Sequence, residues 1–107
     1  VLLEVNLGSE PQKAGVCPED AAELLGQVSR CSRLEVRGLM AIPPWADDPE
    51  ASRPQFASLR RLRDELEQRA GAPLPDLSMG MSHDFEVAIA EGATLVRVGS
   101  AIFGARG

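Results

Sequence analysis

Apolar positions along this chain follow two alternating periods, a short near-continuous run and then a helical stripe, and the alternation repeats from end to end. Val1 to Leu7 is almost unbroken valine and leucine, interrupted by Glu4 and Asn6, as a parallel strand covered on both faces would be. Gly8 to Gly15 has loop chemistry. Pro18 to Arg30 places Ala21, Ala22, Leu24, Leu25 and Val28 at near-helical spacing, with Pro18 suited to a first turn and Glu19 and Asp20 favourable at the positive end of a helix. Leu34 to Ile42 reads as a second strand, stopped by Pro43 and Pro44, which cannot donate to a ladder.

A polar, acidic, proline-bearing stretch from Trp45 to Pro54 feeds a long helix predicted over Gln55 to Ala70. Phe56, Leu59, Leu62 and Leu66 form its apolar face, and the rest is charged, with Arg61 and Glu65, and Arg63 and Glu67, four residues apart. Gly71 to Pro75 ends it. Leu77 to Met81 is a third strand, Phe85 to Ala90 a short helix, and Leu95 to Val98 a fourth strand running into a turn at Ala101 to Gly104. Strands alternating with helices at this spacing predict a parallel sheet with right-handed crossovers. Four such units make the last half of a (β/α)8 barrel, and the strands of Val1 and Val96 would be its unpaired edges, open to association with a second copy or a complementary piece. Starting inside a strand favours a piece of a longer polypeptide.

Composition narrows the classes. The chain has 107 residues, enough for one domain, and its 44% hydrophobic and 25% charged content is that of a folded globular protein. A formal net charge of −5, without a cluster of basic residues among aromatics, argues against a nucleic-acid partner. No apolar run is long enough to span a bilayer, and Val1 to Pro11 lacks the features of a signal peptide, so a cytoplasmic location is expected with no membrane partner. Cys17 and Cys31 are too few for a disulfide framework, and without histidine partners they make no zinc site. Arginine supplies ten of the eleven basic residues, which carries no chemistry by itself.

Candidate chemistry lies at the ends of the last two strands. LSMGMSHD, ending at Asp84, and LVRVGSAIFGAR, from Leu95 to Arg106, each end an apolar run in small residues where a helix or turn begins, gathering backbone N–H groups and serine hydroxyls. In a (β/α)8 barrel a phosphate is often held by the loops after strands seven and eight, and these are the last two strands of the chain. Ser82 is expected to cap the helix of Phe85, with Gly80 allowing close backbone approach and Met81 beside it. Gly99 and Ser100 repeat the device. The plain alternatives are a helix cap and a turn glycine.

Arg97, two residues before Gly99, shares its face of the strand and points inward if that strand end lines the barrel mouth. It serves either a ligand or a salt bridge to Glu4 or Glu35. Asn6 and Met40 end or nearly end their strands and are secondary contacts, with a loop-capping hydrogen bond and core filling as their plainer roles. His83 beside Asp84 supports no catalytic triad, and Lys13 has no apolar surroundings that would depress its pKa.

The run LSMGMSHDFEVAIAEGATLVRVGSAIFGAR, with VLLEVNL and RGLMAIP upstream, closely resembles the carboxy-terminal half of the pyridoxal phosphate homeostasis proteins. The resemblance covers nearly all of residues 1–107, and its most specific parts are SMGMS and VRVGSAIFG. It implies a barrel of the alanine racemase N-terminal domain type, binding pyridoxal 5'-phosphate without catalysis of its own in vitamin B6 homeostasis. Ser82, Gly99 and Ser100 then fall where the family holds the cofactor's phosphate. Arg97 falls where fold-type III proteins donate to the pyridine nitrogen, keeping it unprotonated and weakening the cofactor as an electron sink. The resemblance also implies a Schiff-base lysine in an amino-terminal half absent here, and an intact protein that is mainly monomeric. Two rivals stand beside it: a fragment of a racemase-type enzyme, weakened by the lack of any tyrosine to act as the opposite base, and a self-assembling half barrel that binds a generic phosphate.

Overall fold

The computed structural model describes residues 1–7, 15–31, 33–42 and 47–97. Lys13, Val98, Gly99, Ser100 and the turn from Ala101 lie outside them, as do Pro43, Pro44 and the start of the loop at Trp45 and Ala46. Four strands, β1 (Leu2–Glu4), β2 (Gly38–Met40), β3 (Asp76–Met81) and β4 (Leu95–Arg97), form one sheet in the order β1-β2-β3-β4, every pair parallel. Helices α1 (Ala21–Ser29), α2 (Arg53–Ala70) and α3 (Phe85–Ala90) make the crossovers. Strand order equal to chain order, with a helix between each pair, is the arrangement of half a (β/α)8 barrel.

The register divides the sheet into two faces. Leu3, Leu39 and Leu77 stand level, and together with Val5, Ala41 and Met79 they are buried beneath Ala21, Leu25, Phe56, Leu59, Leu66 and Ala88 of the helices. Glu4, Met40, Ser78 and Leu95 are likewise level and belong to the opposite face, which no helix among the described residues covers. That uncovered face corresponds to the inside of a closed barrel.

The first two strands are shorter than their apolar runs. Leu34 is 47% exposed, and its N–H donates to the Cys31 carbonyl in a turn, so the ladder of β2 starts only at Gly38. A Cβ at Gly38 would sit 1.7 Å from the Asp76 carbonyl oxygen. The close approach of β2 to β3 therefore requires glycine there. Past Glu4 the edge of β1 turns to its own chain: Val16 N–H donates to Glu4 O at 2.9 Å and Asn6 N–H to Val16 O at 2.8 Å.

Helix α1 follows a 3-10 turn at Pro18–Asp20 that takes up Glu19 and Asp20; Asp20 is the N-cap of α1 and Glu23 lies in the helix's own first turn. A second 3-10 turn at Pro49–Ser52 leads into α2, whose predicted stripe is the buried one, with Phe56 and Leu59 at 0% exposure and Leu66 at 2%. Gly71 ends α2 in the left-handed conformation at φ 65°, donating to the Glu67 carbonyl. The surface pairs of α2 differ in part from expectation. Arg63 approaches Glu67 at 3.9 Å, but Glu65 faces Arg69 at 3.8 Å instead of Arg61, which is the favoured acid-first order.

Candidate functional site

At the end of β3 the ladder to β4 is irregular: Ser78 is level with Leu95 and Met81 with Arg97, so β3 spends one more residue than its neighbour. Gly80 sits inside this bulge at φ +100°, a conformation side chains rarely adopt. A Cβ there would lie 2.6 Å from Ala88 Cβ, 3.3 Å from Phe85 Cα and 3.4 Å from Val96 Cγ1. The close approach that Gly80 allows is thus to α3 and β4 on the covered face.

Ser82 opens the turn 82–84 and is half-buried. It does not cap α3, contrary to the sequence expectation; the cap position belongs to Asp84, two residues later. The reason is local. Asp84 Oδ1 accepts from the Met81 N–H at 2.7 Å, and the Asp84 N–H donates to the Met81 carbonyl at 3.1 Å, which closes a turn before the helix starts. His83 Nε2 lies 3.5 Å from Asp84 Oδ2. Asp84 is 5% exposed, a buried carboxylate with a neighbour at each oxygen.

Arg97 ends the described part of β4, on the uncovered face with Leu95. Its guanidinium reaches past β3 to within 3.8 Å of Met40 Sδ. Neither salt bridge considered from the sequence forms: Glu35 approaches Arg37 at 3.7 Å, and among the described residues no carboxylate lies within 4 Å of Arg97. A thioether is a weak acceptor, so the five donors of the guanidinium remain largely for other partners on that face. Asn6 is buried at the end of β1, its N–H tying Val16, and Met40 is half-buried; both are at the same strand ends as Ser82 and Arg97.

The residues brought together fit pyridoxal phosphate in their donor chemistry: a permanently charged planar donor suits a ring nitrogen, and a serine on the loop after β3 suits a phosphate oxygen. Gly99 and Ser100, the other half of the expected phosphate site, lie outside the described residues. A cavity of about 230 Å³ at this loop is lined by Pro49, Ser82, His83, Asp84, Phe85, Glu86 and Val87. Two carboxylates in its wall make it a poor place for an anion. Among the described residues no group of histidine, cysteine and acidic side chains could hold a metal ion.

Sequence reasoning missed the junction that braces this end of the fold. Glu91, just after α3, meets Arg53 at 2.7 Å and Arg60 at 3.4 Å, both from α2. Glu91 and then Glu50 raise the Arg53 pKa above its ordinary value by hydrogen bonding to its charged form. The partners are 38 and 31 residues apart in sequence, so no local pattern announces them.

The family described as alanine racemase, N-terminal domain, matches residues 1–107. Proteins named pyridoxal phosphate homeostasis protein are similar over 99% of the chain, at 55% identity in Aquifex aeolicus and 47% in Pseudomonas aeruginosa. The chain covers 46% and 44% of those two proteins, so it spans about half the length of the curated relatives it matches. Among solved structures, PipY of Synechococcus elongatus without PLP superposes at a TM-score of 0.82 with 42% identity, over 91% of this chain and 46% of that one. The same protein with PLP bound superposes at 0.79 with 41% identity, over 91% of this chain and 45% of that one.

Proposed function

Because the chain belongs to the family of the alanine racemase N-terminal domain, we propose that it is the carboxy-terminal half of a barrel that binds pyridoxal 5'-phosphate and serves vitamin B6 homeostasis as a carrier. One observation carries the reading: an arginine on the uncovered face at the strand ends, faced by a thioether and by no carboxylate among the described residues. A structural arginine is normally paired. One left to a weak acceptor suits a neutral ring nitrogen, and PipY, 41% identical to this chain, is known with PLP bound.

In this reading Arg97 orients the pyridine ring by donating to its nitrogen, while Ser82, Gly99 and Ser100 hold the phosphate. Gly80 and Met81 shape the loop, and Asn6 and Met40 line the rim. Bound pyridoxal phosphate supplies a reactive aldehyde and a conjugated ring. A guanidinium has no proton to give at neutral pH, so the ring nitrogen stays unprotonated and carbanion chemistry is disfavoured. That favours a carrier over a racemase. A cytoplasmic location is part of this proposal.

The reading extends to assembly. The uncovered face and the edges at β1 and β4 take either the amino-terminal half of the barrel or, where the chain occurs alone, a second copy. Rotation by half a turn about the barrel axis preserves strand direction, so two four-stranded halves close into eight parallel strands.

Titration of the chain with pyridoxal phosphate, followed by visible absorbance and then by borohydride reduction and intact mass, tests the function. Saturable binding without a covalent adduct is the expected result. An adduct at Lys13 would make the chain self-sufficient in its amine, and absence of binding would defeat the proposal for this half alone.

A further inference from the structure

At six residues α3 is too short for its own terminus to hold an anion, so Ser82 depends on the loop for its placement. That loop is built around one side chain. Met81 and His83, the residues on either side of Ser82, both face the carboxylate of Asp84, at 2.7 Å through the Met81 N–H and at 3.5 Å through His83 Nε2. The Asp84 backbone closes the loop a second time, its N–H donating to the Met81 carbonyl, while its own carbonyl accepts from Ala88 N–H at 3.1 Å. Ala88 is fully buried and is the residue over which Gly80 packs. Strand end, turn and helix are thus tied at a single residue.

We propose that Asp84 is the positioning residue of this loop: its buried carboxylate, hydrogen-bonded to the Met81 N–H just before Ser82 and packed 3.5 Å from His83 Nε2 just after it, sets where the Ser82 hydroxyl and amide are presented. The inference rests on the reading of Ser82 as a phosphate contact. The bulge in β3 explains why a clamp is needed. An extra residue disrupts the ladder locally, and the Met81 N–H takes a side-chain carboxylate as its acceptor. An ionised acceptor holds that amide more strongly than a neutral one would. The cost is a negative charge near a site for an anion.

Asp84→Asn and Asp84→Ala separate the roles of the acceptor atom and the charge. Asparagine keeps an oxygen for the Met81 N–H; alanine removes it. In the unliganded, isotope-labelled 107-residue chain, amide exchange at Met81 is expected to speed up by about tenfold or more in Asp84→Ala and to stay near the parent in Asp84→Asn. Pyridoxal phosphate affinity is expected to fall about tenfold in Asp84→Ala and to be retained in Asp84→Asn. Rescue by the isosteric variant distinguishes placement of the loop from a general need for the charge. Unchanged Met81 exchange in Asp84→Ala overturns the clamp. Affinity lost in Ser82→Ala but kept in Asp84→Ala overturns the positioning role alone, and affinity kept in Ser82→Ala defeats the Ser82 assignment instead.

Discussion

Arg97 on β4 and Met40 on β2 meet across an intervening strand, guanidinium Nη2 to thioether Sδ at 3.8 Å. The long arginine stem lies over the face of β3, where Ser78 offers little bulk, and the cation comes to rest beside a soft, polarisable sulfur. Two residues 57 positions apart thereby meet at the strand ends of the uncovered face.

Arg97→Ala is expected to weaken pyridoxal phosphate binding by about tenfold and to leave inorganic phosphate binding nearly unchanged, because it removes a charge-assisted ring contact only. Parallel titrations with the two ligands check this. Equal losses for both would mean that Arg97 contacts the phosphate. Arg97→Lys is expected to restore little, since an ammonium lacks the planar fork.

Ser82→Ala is expected to weaken both ligands, by about three- to tenfold. A fall in melting temperature with unchanged affinity would return Ser82 to a structural role.

Gly80→Ala is expected to cost about 2–4 kcal/mol, from a positive φ together with a Cβ forced against Ala88. Urea unfolding measures it. Gly80→Ala with Ala88→Gly relieves the clash but not the backbone strain, so it is expected to recover only part of the loss; full recovery would show that the backbone conformation is not strained for alanine.

The edges bear on assembly. Val1 is 55% exposed and Leu95 48% exposed at opposite edges of the sheet. Light scattering of the chain alone is expected to give a dimer, and Leu95→Glu to shift it towards monomer. A folded monomer at high concentration, detected with native secondary structure, would leave the amino-terminal half as the sole occupant of these edges.

Element order, the parallel sheet and the buried stripe of α2 were legible in the sequence because they are local: period, turn residues and proline act within a few positions of themselves. The family resemblance was equally legible, since it rests on contiguous motifs. Strand lengths were less so. Apolar runs persist into residues such as Leu34 that end exposed, and only pairing partners decide where a ladder begins.

What tertiary structure alone decided concerns which neighbour each residue meets. Gly38 is required by the Asp76 carbonyl opposite it, and Gly80 by Ala88 of α3. Glu91 draws Arg53 and Arg60 together from another helix, and Arg97 takes Met40 in place of the carboxylates that the sequence offered. Ser82 lost the cap to Asp84 because the bulge in β3 left the Met81 amide to a side-chain acceptor, and Asp84 is the residue that reaches it. Such outcomes depend on distances between distant segments, which chain order does not encode until the sheet has set its register.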